Sequence, residues 1–471
     1  MRHPLLAAAV VLSAVTISAQ QPAQPSQPAQ PGTPAAITEG SIRGHMEFLA
    51  SDALNGRGSG TRDEWIAAEY IASHLRRWGL EPLGDRSQGQ PRSFVQEIEL
   101  RGVESTAAPV LTIGGLTLTH GKEMLVQALG TVAKIAGPLV VYKPGISVPV
   151  GSAVLAPHAT SADDRAAMAP ASLVIVPETP NIRERWAVTA SRLPSAPPRA
   201  VNLPAIAAPR ATMIVLDDAT YAAVSKVPAG TRVFFDPPLK YSDTPGHTWN
   251  VVAQLTGSDA TLRREIILLS AHLDHVGMRP NAPGDDKIFN GADDDASGSV
   301  AVLELAKAMM QGPRPKRTIV FAWFGSEERG GHGSNYFAET TPLGGVIANL
   351  QFEMIGRPDP KVPPRTLWLT GYERSTLGPE LAKRGARLVQ DPHPDQSFFT
   401  RSDNIRFARK GIPAHTVSSF GLHKDYHQPG DEVSTIDFPH MLEAIRSMVE
   451  PIRWLANSDF RPQWNPGGRP R

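Results

Sequence analysis

The sequence of 471 residues contains no cysteine. This absence excludes disulfide bonds, cysteine nucleophiles, iron–sulfur clusters and zinc sites built from thiolates. Any metal ion bound by this chain must therefore be held by histidine, aspartate and glutamate side chains.

An excess of charge of one sign is lacking as well. The 47 Lys and Arg residues nearly balance the 46 Asp and Glu residues, which gives a net charge of +1. Such a balance creates no field that would gather nucleic acid or an anionic membrane. The 41% of hydrophobic and 20% of charged residues are typical of a soluble globular protein. We therefore expect no nucleic-acid partner, and the composition leaves the oligomeric state open.

The first 36 residues predict export. A short positive start, Arg2-His3, precedes an apolar run at 4–16 and small residues at Ser18-Ala19, which together are typical of a signal peptide over 1–19. The apolar run is shorter than the ~20 residues that span a bilayer, so we expect no membrane span in the mature protein. A buried core helix and an uncleaved anchor are the alternatives for this run. The Pro/Gln-rich residues 20–36 predict a disordered tether. Since no cysteine is present for lipid attachment, we expect a periplasmic or secreted protein.

Beyond the tether, the chain changes character twice. Residues 37–104 contain two helical patterns, one from Ile42 to Leu49 and one from Trp65 to Leu75, and we assign them to the first part of a larger domain. Residues 105–245 contain short β-like runs between proline- and alanine-rich loops. They predict a smaller β-rich domain inserted into the larger one.

Residues 246–460 alternate predicted strands and helices. The apolar runs at 250–257, 265–271, 318–325 and 349–354 read as buried strands, and 299–310 and 438–455 read as helices. This alternation predicts an α/β fold with a mixed, largely parallel central sheet flanked by helices. We expect the last residues, 461–471, to form a disordered tail.

The first polar cluster of this region directly follows the second of these strands. It contains His272 and, two residues later, Asp274, which points to the same side of an extended chain. A neutral imidazole is a good zinc ligand, and an acceptor on its other nitrogen fixes its tautomer. A pair of polar residues at a strand end is the alternative.

The second cluster is a run of three carboxylates, Asp293, Asp294 and Asp295, just before a predicted helix. Three adjacent carboxylates repel one another, and helix capping explains one of them rather than three. A bound divalent cation would relieve this repulsion.

Two further clusters complete the set. Glu327 and Glu328 leave a very apolar strand, an arrangement that suits a general base beside a metal ligand. Tyr426 and His427 lie near the end of the domain, and Glu353 follows another strand. Together these groups form an oxygen-rich set that suits two divalent ions sharing a bridging carboxylate.

These clusters resemble the zinc peptidases of the M28 family, the aminopeptidase and glutamate carboxypeptidase group. The matching stretches cover nearly all of 250–440 in the order of the family: SAHLDHVG, NGADDDASGS, FAWFGSEERGGHGSNYFA, FEMIGRP, RSDNIRFARKGIPA and HKDYHQPGDE. The resemblance implies a zinc-exopeptidase fold, and the region 105–245 resembles the protease-associated domain that many members carry.

The resemblance also implies a ligand set. His272 and Glu353 would bind one zinc ion, Glu328 and His427 would bind the other, and Asp294 would bridge both and be followed by a cis peptide. Glu353 departs from the family pattern, in which this position is usually Asp. Because the side chain of Glu is one methylene longer, an enzyme with one zinc ion remains an alternative.

Three catalytic roles are implied by the same resemblance. Glu327 would be the general base, Asp274 would orient His272, and Tyr426 would donate a hydrogen bond to the oxyanion. The implied function is an exported, zinc-dependent exopeptidase that hydrolyses N-terminal residues of peptides through a metal-bound water.

Three rival functions remain open. A carboxypeptidase of the same family would need a cationic group for the C-terminus of its substrate, and Arg357 or Arg401 could supply it. A transferase similar to glutaminyl cyclases would use one zinc ion. The third rival is a catalytically inactive binding protein.

Overall fold

A computed structural model describes residues 37–86, 89–130, 134–157, 164, 167–201, 203, 211–241 and 246–470. The predicted signal peptide and tether lie outside the described residues. Within the described part, no helix combines the length and the apolar character that crossing a membrane requires.

Strands and helices alternate along the described chain. The strands are β1 Glu81–Pro82, β2 Val95–Ser105, β3 Val110–Ile113, β4 Leu116–Thr119, β5 Met124–Ala128, β6 Ile135–Val141, β7 Ala153–Leu155, β8 Leu173–Pro177, β9 Ser195–Ala200, β10 Thr212–Leu216, β11 Arg232–Phe235, β12 Leu239–Tyr241, β13 Gly246–Leu255, β14 Ile266–His272, β15 Gly277–Met278, β16 Ile288–Phe289, β17 Thr318–Phe324, β18 Val346–Phe352, β19 Leu367–Leu369, β20 Leu388–Gln390 and β21 Ala414–Ser418. The helices are α1 Glu39–Leu49, α2 Arg62–Trp78, α3 Pro180–Glu184, α4 Trp186–Ala190, α5 Asp218–Val224, α6 Gly298–Met309, α7 His332–Thr340, α8 Leu377–Lys383, α9 Asn404–Arg409 and α10 Phe438–Asn457.

The larger sheet has a parallel centre. Its order is β12-β2-β13-β17-β14-β18-β21-β19-β20, with β1 paired to β13 and β9 paired to β2. The four strands β17, β14, β18 and β21 run parallel to one another, whereas β2 and β13 pair with their neighbours antiparallel. Strand β19 pairs antiparallel with β21 and parallel with β20. Every residue of β17 is buried, as expected for a strand covered on both faces.

Helices cover both faces of this sheet. On one face, α1, α2, α6 and α10 share a core with alternate strand residues such as Leu269 and Phe321. On the other face, α7 and α9 pack against the intervening residues, such as Leu268 and Val320. The predicted α/β class is therefore confirmed, with a mixed sheet in which parallel pairing dominates at the centre.

The smaller sheet has eight strands in the order β4-β3-β11-β6-β7-β8-β10-β5 and a hydrophobic core of its own. All of these strands lie between 105 and 245, the region for which we predicted a β-rich insertion. Two other strands of the region, β9 and β12, pair with β2 and so join the larger sheet. The boundary at 105 therefore does not separate the two sheets cleanly.

Residues 461–470 are ordered against the folded chain, which corrects the prediction of a disordered tail for these residues. Trp464 donates from its indole Nε1 to the Gly411 carbonyl at 2.9 Å and forms a β-bridge with Ser375. The Gln463 amide donates to Thr376 Oγ1 at 3.0 Å. Because Trp464 packs against the core beneath α9, a segment that looks polar in sequence is fixed by one large side chain.

Candidate metal centre

The parallel strands place the candidate site residues at one edge of the sheet. His272 is the last residue of β14, Glu327 and Glu328 follow β17, and Glu353 directly follows β18. Neighbouring parallel strands end at the same edge, where ligands collect in sheets of this type. His427 lies in the loop after β21. The chain places all of them at that edge although they are far apart in sequence.

Four of these side chains form a compact quartet. One ligand atom from each of His275, Asp294, Glu328 and His427 lies within 4.8 Å of the others. Glu328 Oε1 lies 2.8 Å from His275 Nδ1, and Glu328 Oε2 lies 3.0 Å from His427 Nε2. These contacts lack hydrogen-bond geometry, so both ring nitrogens of His275, Nε2 of His427 and Oε1 of Glu328 are buried without a hydrogen bond. Buried polar atoms are rarely left without a partner, so this donor set fits a divalent cation such as zinc.

Asp294 occupies the central position. Its Oδ1 lies 3.2 Å from His272 Nε2, and its Oδ2 lies 3.1 Å from His427 Nε2. One carboxylate thus faces a histidine on either side, which is the geometry of a bridging ligand. The peptide bond between Asp294 and Asp295 is cis, as the resemblance implies.

Glu353 is less closely associated with the other ligands. Its carboxylate accepts a hydrogen bond from the Ser402 hydroxyl and lies on the wall of the adjoining cavity. Among the described residues, the quartet is the only set of three or more potential ligands within 4.8 Å. Burial raises the pKa of Glu353 to about 7, although the field of His272 opposes the shift. A second ion would therefore need Glu353 to move toward His272 and Asp294.

The two aspartates beside Asp294 have structural roles, which corrects the argument from carboxylate repulsion. Asp293 accepts from the Gly356 amide at 2.7 Å and pairs with His423 at 3.0 Å. Asp295 accepts from the amides of Gly298 at 3.0 Å and Met354 at 3.1 Å. Backbone donors therefore offset two of the three charges without a cation.

Asp274 binds backbone amides rather than the ring of His272. Its Oδ1 accepts from the Glu327 amide at 2.9 Å, and its Oδ2 accepts from the Glu328 amide at 3.3 Å. His272 Nδ1 lies 3.2 Å from the backbone carbonyl of Asp274 and 3.7 Å from its carboxylate. The expected orientation of His272 thus comes chiefly from the Asp274 backbone, while the Asp274 side chain positions the two glutamates.

Helix α2 contributes a second carboxylate to the same turn, which the sequence did not reveal. Glu64 is fully buried and accepts from the Ser326 amide at 3.0 Å, the Gly60 amide at 2.6 Å and the Thr248 hydroxyl at 2.7 Å. Glu64 and Asp274 together bind three successive amides of the turn that carries Glu327. The presence of Glu64 within the apolar face of α2 was the sequence feature that could have revealed this role.

His275 is the other residue to which the sequence motifs assigned no role. It belongs to the quartet and is completely buried. His275 lies three residues after His272, just beyond the end of β14, and this position could have indicated a role in the site.

Glu327 lies where two cavities meet and lines both of them. Burial raises its pKa well above the usual value; His272 opposes the shift, and the carboxylates of Asp403, Glu353 and Glu328 add to it. A bound cation would oppose this rise and favour the carboxylate form, which is the form a base needs.

The first cavity, which we call the aromatic pocket, lies beside the quartet and spans about 510 Å³, a volume that includes space open to solvent. Its apolar wall is formed by Met354, Trp368, Phe398, Phe420 and Tyr426. Trp368 stacks on Phe398 with ring centroids 5.5 Å apart, and Tyr426 stacks on His427 at 3.9 Å. Burial raises the pKa of Tyr426, so its hydroxyl keeps its proton and can donate a hydrogen bond. The pocket suits an apolar side chain held next to the candidate ligands.

The second cavity, which we call the arginine groove, extends from Glu327 and Glu328 along the start of α9. Arg401, Arg406 and Arg409 line it. Of the two arginines that could serve a carboxypeptidase, Arg357 lies elsewhere and pairs with Asp425 at 2.8 Å and Asp431 at 3.0 Å. Arg401 lines both cavities.

The segment of the chain that contains this site is similar to known proteins. Residues 250–450 match Peptidase family M28. Leucine aminopeptidase 2 of Trichophyton rubrum is 27% identical over 265 residues, which cover 47% of this chain and 50% of that protein. Probable leucine aminopeptidase 2 of Aspergillus oryzae is 31% identical over 180 residues, which cover 36% of this chain and 32% of that protein. The chain thus spans about half the length, or less, of these curated relatives.

A solved structure supports the fold alone. An aminopeptidase from Aneurinibacillus sp. strain AM-1 has a TM-score of 0.53 and 18% sequence identity, over 89% of this chain and 94% of that one. The matched segment 250–450 contains every residue of the quartet and Glu327. Over that segment, the chain matches Peptidase family M28.

Proposed function

We propose that the protein is a zinc-dependent aminopeptidase that removes apolar N-terminal residues from peptides. The observation that carries this proposal is the quartet of His275, Asp294, Glu328 and His427, whose unpartnered atoms adjoin Glu327 and the aromatic pocket. The matched relatives, which are leucine aminopeptidases, support it.

The charges around the pocket favour an aminopeptidase over a carboxypeptidase. Asp294, Glu327 and Glu353 all line the aromatic pocket, where they would attract the ammonium group of a free N-terminus. Arg357 pairs with two aspartates and cannot bind a substrate carboxylate without giving them up.

The residues of the quartet would hold one ion, and His272 with Glu353 would hold a second one through Asp294. An ion bound there supplies Lewis acidity and lowers the pKa of water to a value near neutrality. Glu327 accepts the proton of the attacking water and returns it to the leaving amine. The Tyr426 hydroxyl donates a hydrogen bond to the developing oxyanion, and the aromatic pocket orients the first side chain of the peptide.

We further propose that the protein acts after export. The signal-like residues 1–19 support this.

The test is turnover of leucine p-nitroanilide and of leucine-containing peptides with free or acetylated N-termini. We expect cleavage of the free forms only, loss of activity with a chelator, and recovery when zinc is added. Cleavage of acetylated peptides from their C-terminal end would contradict the aminopeptidase proposal. Cyclisation of N-terminal glutamine peptides would instead support a transferase.

The role of Glu327 is tested by Glu327→Ala. This variant should retain the metal content of the wild type, measured by elemental analysis, and lose activity by about a hundredfold or more, because proton transfer by a positioned base contributes at least that much. Glu69→Ala, on the outer side of α2, serves as a control. Wild-type rates in the metal-loaded Glu327→Ala protein would contradict the assignment of Glu327 as the general base.

A further inference from the structure

We propose that Arg401 binds a carboxylate of the substrate on the leaving-group side of the cleaved bond, so that the enzyme prefers short peptides with a nearby carboxylate. This inference rests on the proposed aminopeptidase function and extends it to the part of the substrate that follows the cleaved bond.

The position of Arg401 is the first support. It lines both cavities, together with Glu327, Glu328 and Ser402. A peptide whose first side chain fills the aromatic pocket would continue past Glu327 into the arginine groove. Arg401 therefore lies where the residue after the cleaved bond would pass.

The second support is the lack of an internal partner. Among the residues that the structure describes, no carboxylate forms an ion pair with Arg401, whereas Arg357 has two such partners. Arg401 is exposed, and its guanidinium lies 5.0 Å from the centroid of the Phe398 ring. This cation–π contact leaves the N–H donors of the guanidinium available for bidentate binding of a carboxylate.

The third support is the division of charge across the site. The carboxylates of Asp294, Glu327 and Glu353 line the pocket that would hold the ammonium group, whereas three arginines and one aspartate, Asp403, line the groove beyond Glu327. A zwitterionic dipeptide presents the complementary charges in that order. The carboxylate can come from the C-terminus of a dipeptide or from an acidic side chain after the cleaved bond.

The test compares matched substrates with and without the carboxylate. Leu-Gly against Leu-Gly amide tests the C-terminal source, and Leu-Asp amide against Leu-Asn amide tests the side-chain source. In the wild type we expect kcat/KM to be about tenfold or more higher for the charged member of at least one pair, because hydrogen bonds to charged groups are worth that much. The preference should lie mainly in KM.

The Arg401→Gln variant should reduce that ratio to about one. Arg461→Gln removes the same charge from an exposed arginine that pairs with Glu265, just before the start of β14 and far from the site, and should keep the wild-type ratio. Equal rates for both members of both pairs in the wild type would overturn the proposal, as would an unchanged ratio in Arg401→Gln.

Binding separates this proposal from the proposed function. The same dipeptide pairs are titrated by calorimetry into metal-loaded Glu327→Gln protein, so that the carboxylate preference is measured whether or not peptides are cleaved. If the wild type cleaves none of the substrates but Arg401→Gln still loses the binding preference, the proposed function fails and the role of Arg401 stands. If the wild type cleaves free dipeptides but the Glu327→Gln protein binds both members of each pair equally, the proposed function stands and the role of Arg401 fails.

Discussion

At the scale of the residue, His275 stands out in the metal centre. Its Nδ1 lies 2.8 Å from Glu328 Oε1 and 3.8 Å from Asp294 Oδ2, and the imidazole is fully buried. Either it is itself a ligand, or it holds the Glu328 carboxylate toward the ion. Both roles predict that the ion depends on this side chain.

We therefore expect His275→Ala to weaken metal binding by about tenfold or more, since the loss of a ligand or of its hydrogen-bonding partner has at least this effect. Affinity is measured by competition with a chromogenic chelator. His423→Ala removes a nearby histidine that pairs with Asp293, outside the quartet, and should have a smaller effect. Equal affinity in His275→Ala and the wild type would exclude His275 from the centre.

The sequence could identify most of the site residues but not their contacts. His272, Asp294, Glu328 and His427 follow from strand-end clusters and the family resemblance, and the structure brings them together. The role of the Asp274 side chain could not be predicted, because which backbone amides face a carboxylate depends on the path of the turn after β17. The contact of Glu328 Oε1 with His275 Nδ1 and the hydrogen bond that Ser402 donates to Glu353 likewise depend on side-chain torsions that no pattern encodes.

At the scale of the element, α2 contacts the candidate site although it lies outside the matched segment 250–450. Its Glu64 side chain accepts the Ser326 amide, and Ser326 adopts a left-handed backbone conformation with φ of 52°. A non-glycine residue with this φ is held there by its surroundings. Glu64 and Asp274 thus fix the direction in which the turn presents Glu327.

Glu64→Gln should lower kcat by about tenfold while KM and metal content change little, because the amide nitrogen of Gln would face the donor of Gly60. The loss of this bond should also reduce the free energy of unfolding by about 1–3 kcal/mol. Steady-state kinetics, elemental analysis and urea unfolding measure these effects, with Glu69→Gln as a control on the same helix. A variant that is destabilised but has unchanged kcat would show that Glu64 supports only the fold.

The elements themselves were largely predictable from periodicity. The buried strands β14 and β17 and the helices α6 and α10 lie within a few residues of the predicted ranges, because continuous apolar runs and 3.6-residue spacing are strong signals. The joining of β9 to β2 was not predictable, since pairing between strands that are distant in the chain leaves no local pattern.

At the scale of the whole molecule, His415 links β21 to the C-terminal segment. Its Nε2 lies 2.7 Å from the Ser375 hydroxyl, its Nδ1 lies 2.7 Å from the Thr370 carbonyl, and its ring centroid lies 5.4 Å from that of Trp464. Burial lowers the pKa of His415 from 6.5 to about 4. The folded protein therefore holds this imidazole neutral at a pH where the unfolded chain would bind a proton.

Because the folded pKa is the lower one, this contribution to stability is complete above about pH 6.5 and is lost as the pH falls toward 4. The loss is on the order of 3 kcal/mol across that window. The pH dependence of urea unfolding measures it, and His415→Gln should flatten the slope between pH 6.5 and 4. The same slope in both proteins would mean that other groups cause the acid sensitivity.

The candidate ligands of the metal centre follow strands that neighbour one another in the sheet but not in the chain. His272 and His427 meet only after β14, β17, β18 and β21 have assembled side by side. A partly folded chain therefore has the ligands but cannot chelate, and an ion adds its binding energy only to the completed sheet. Metal ions would thus stabilise only molecules whose sheet is complete and would not help a partly folded chain to assemble it.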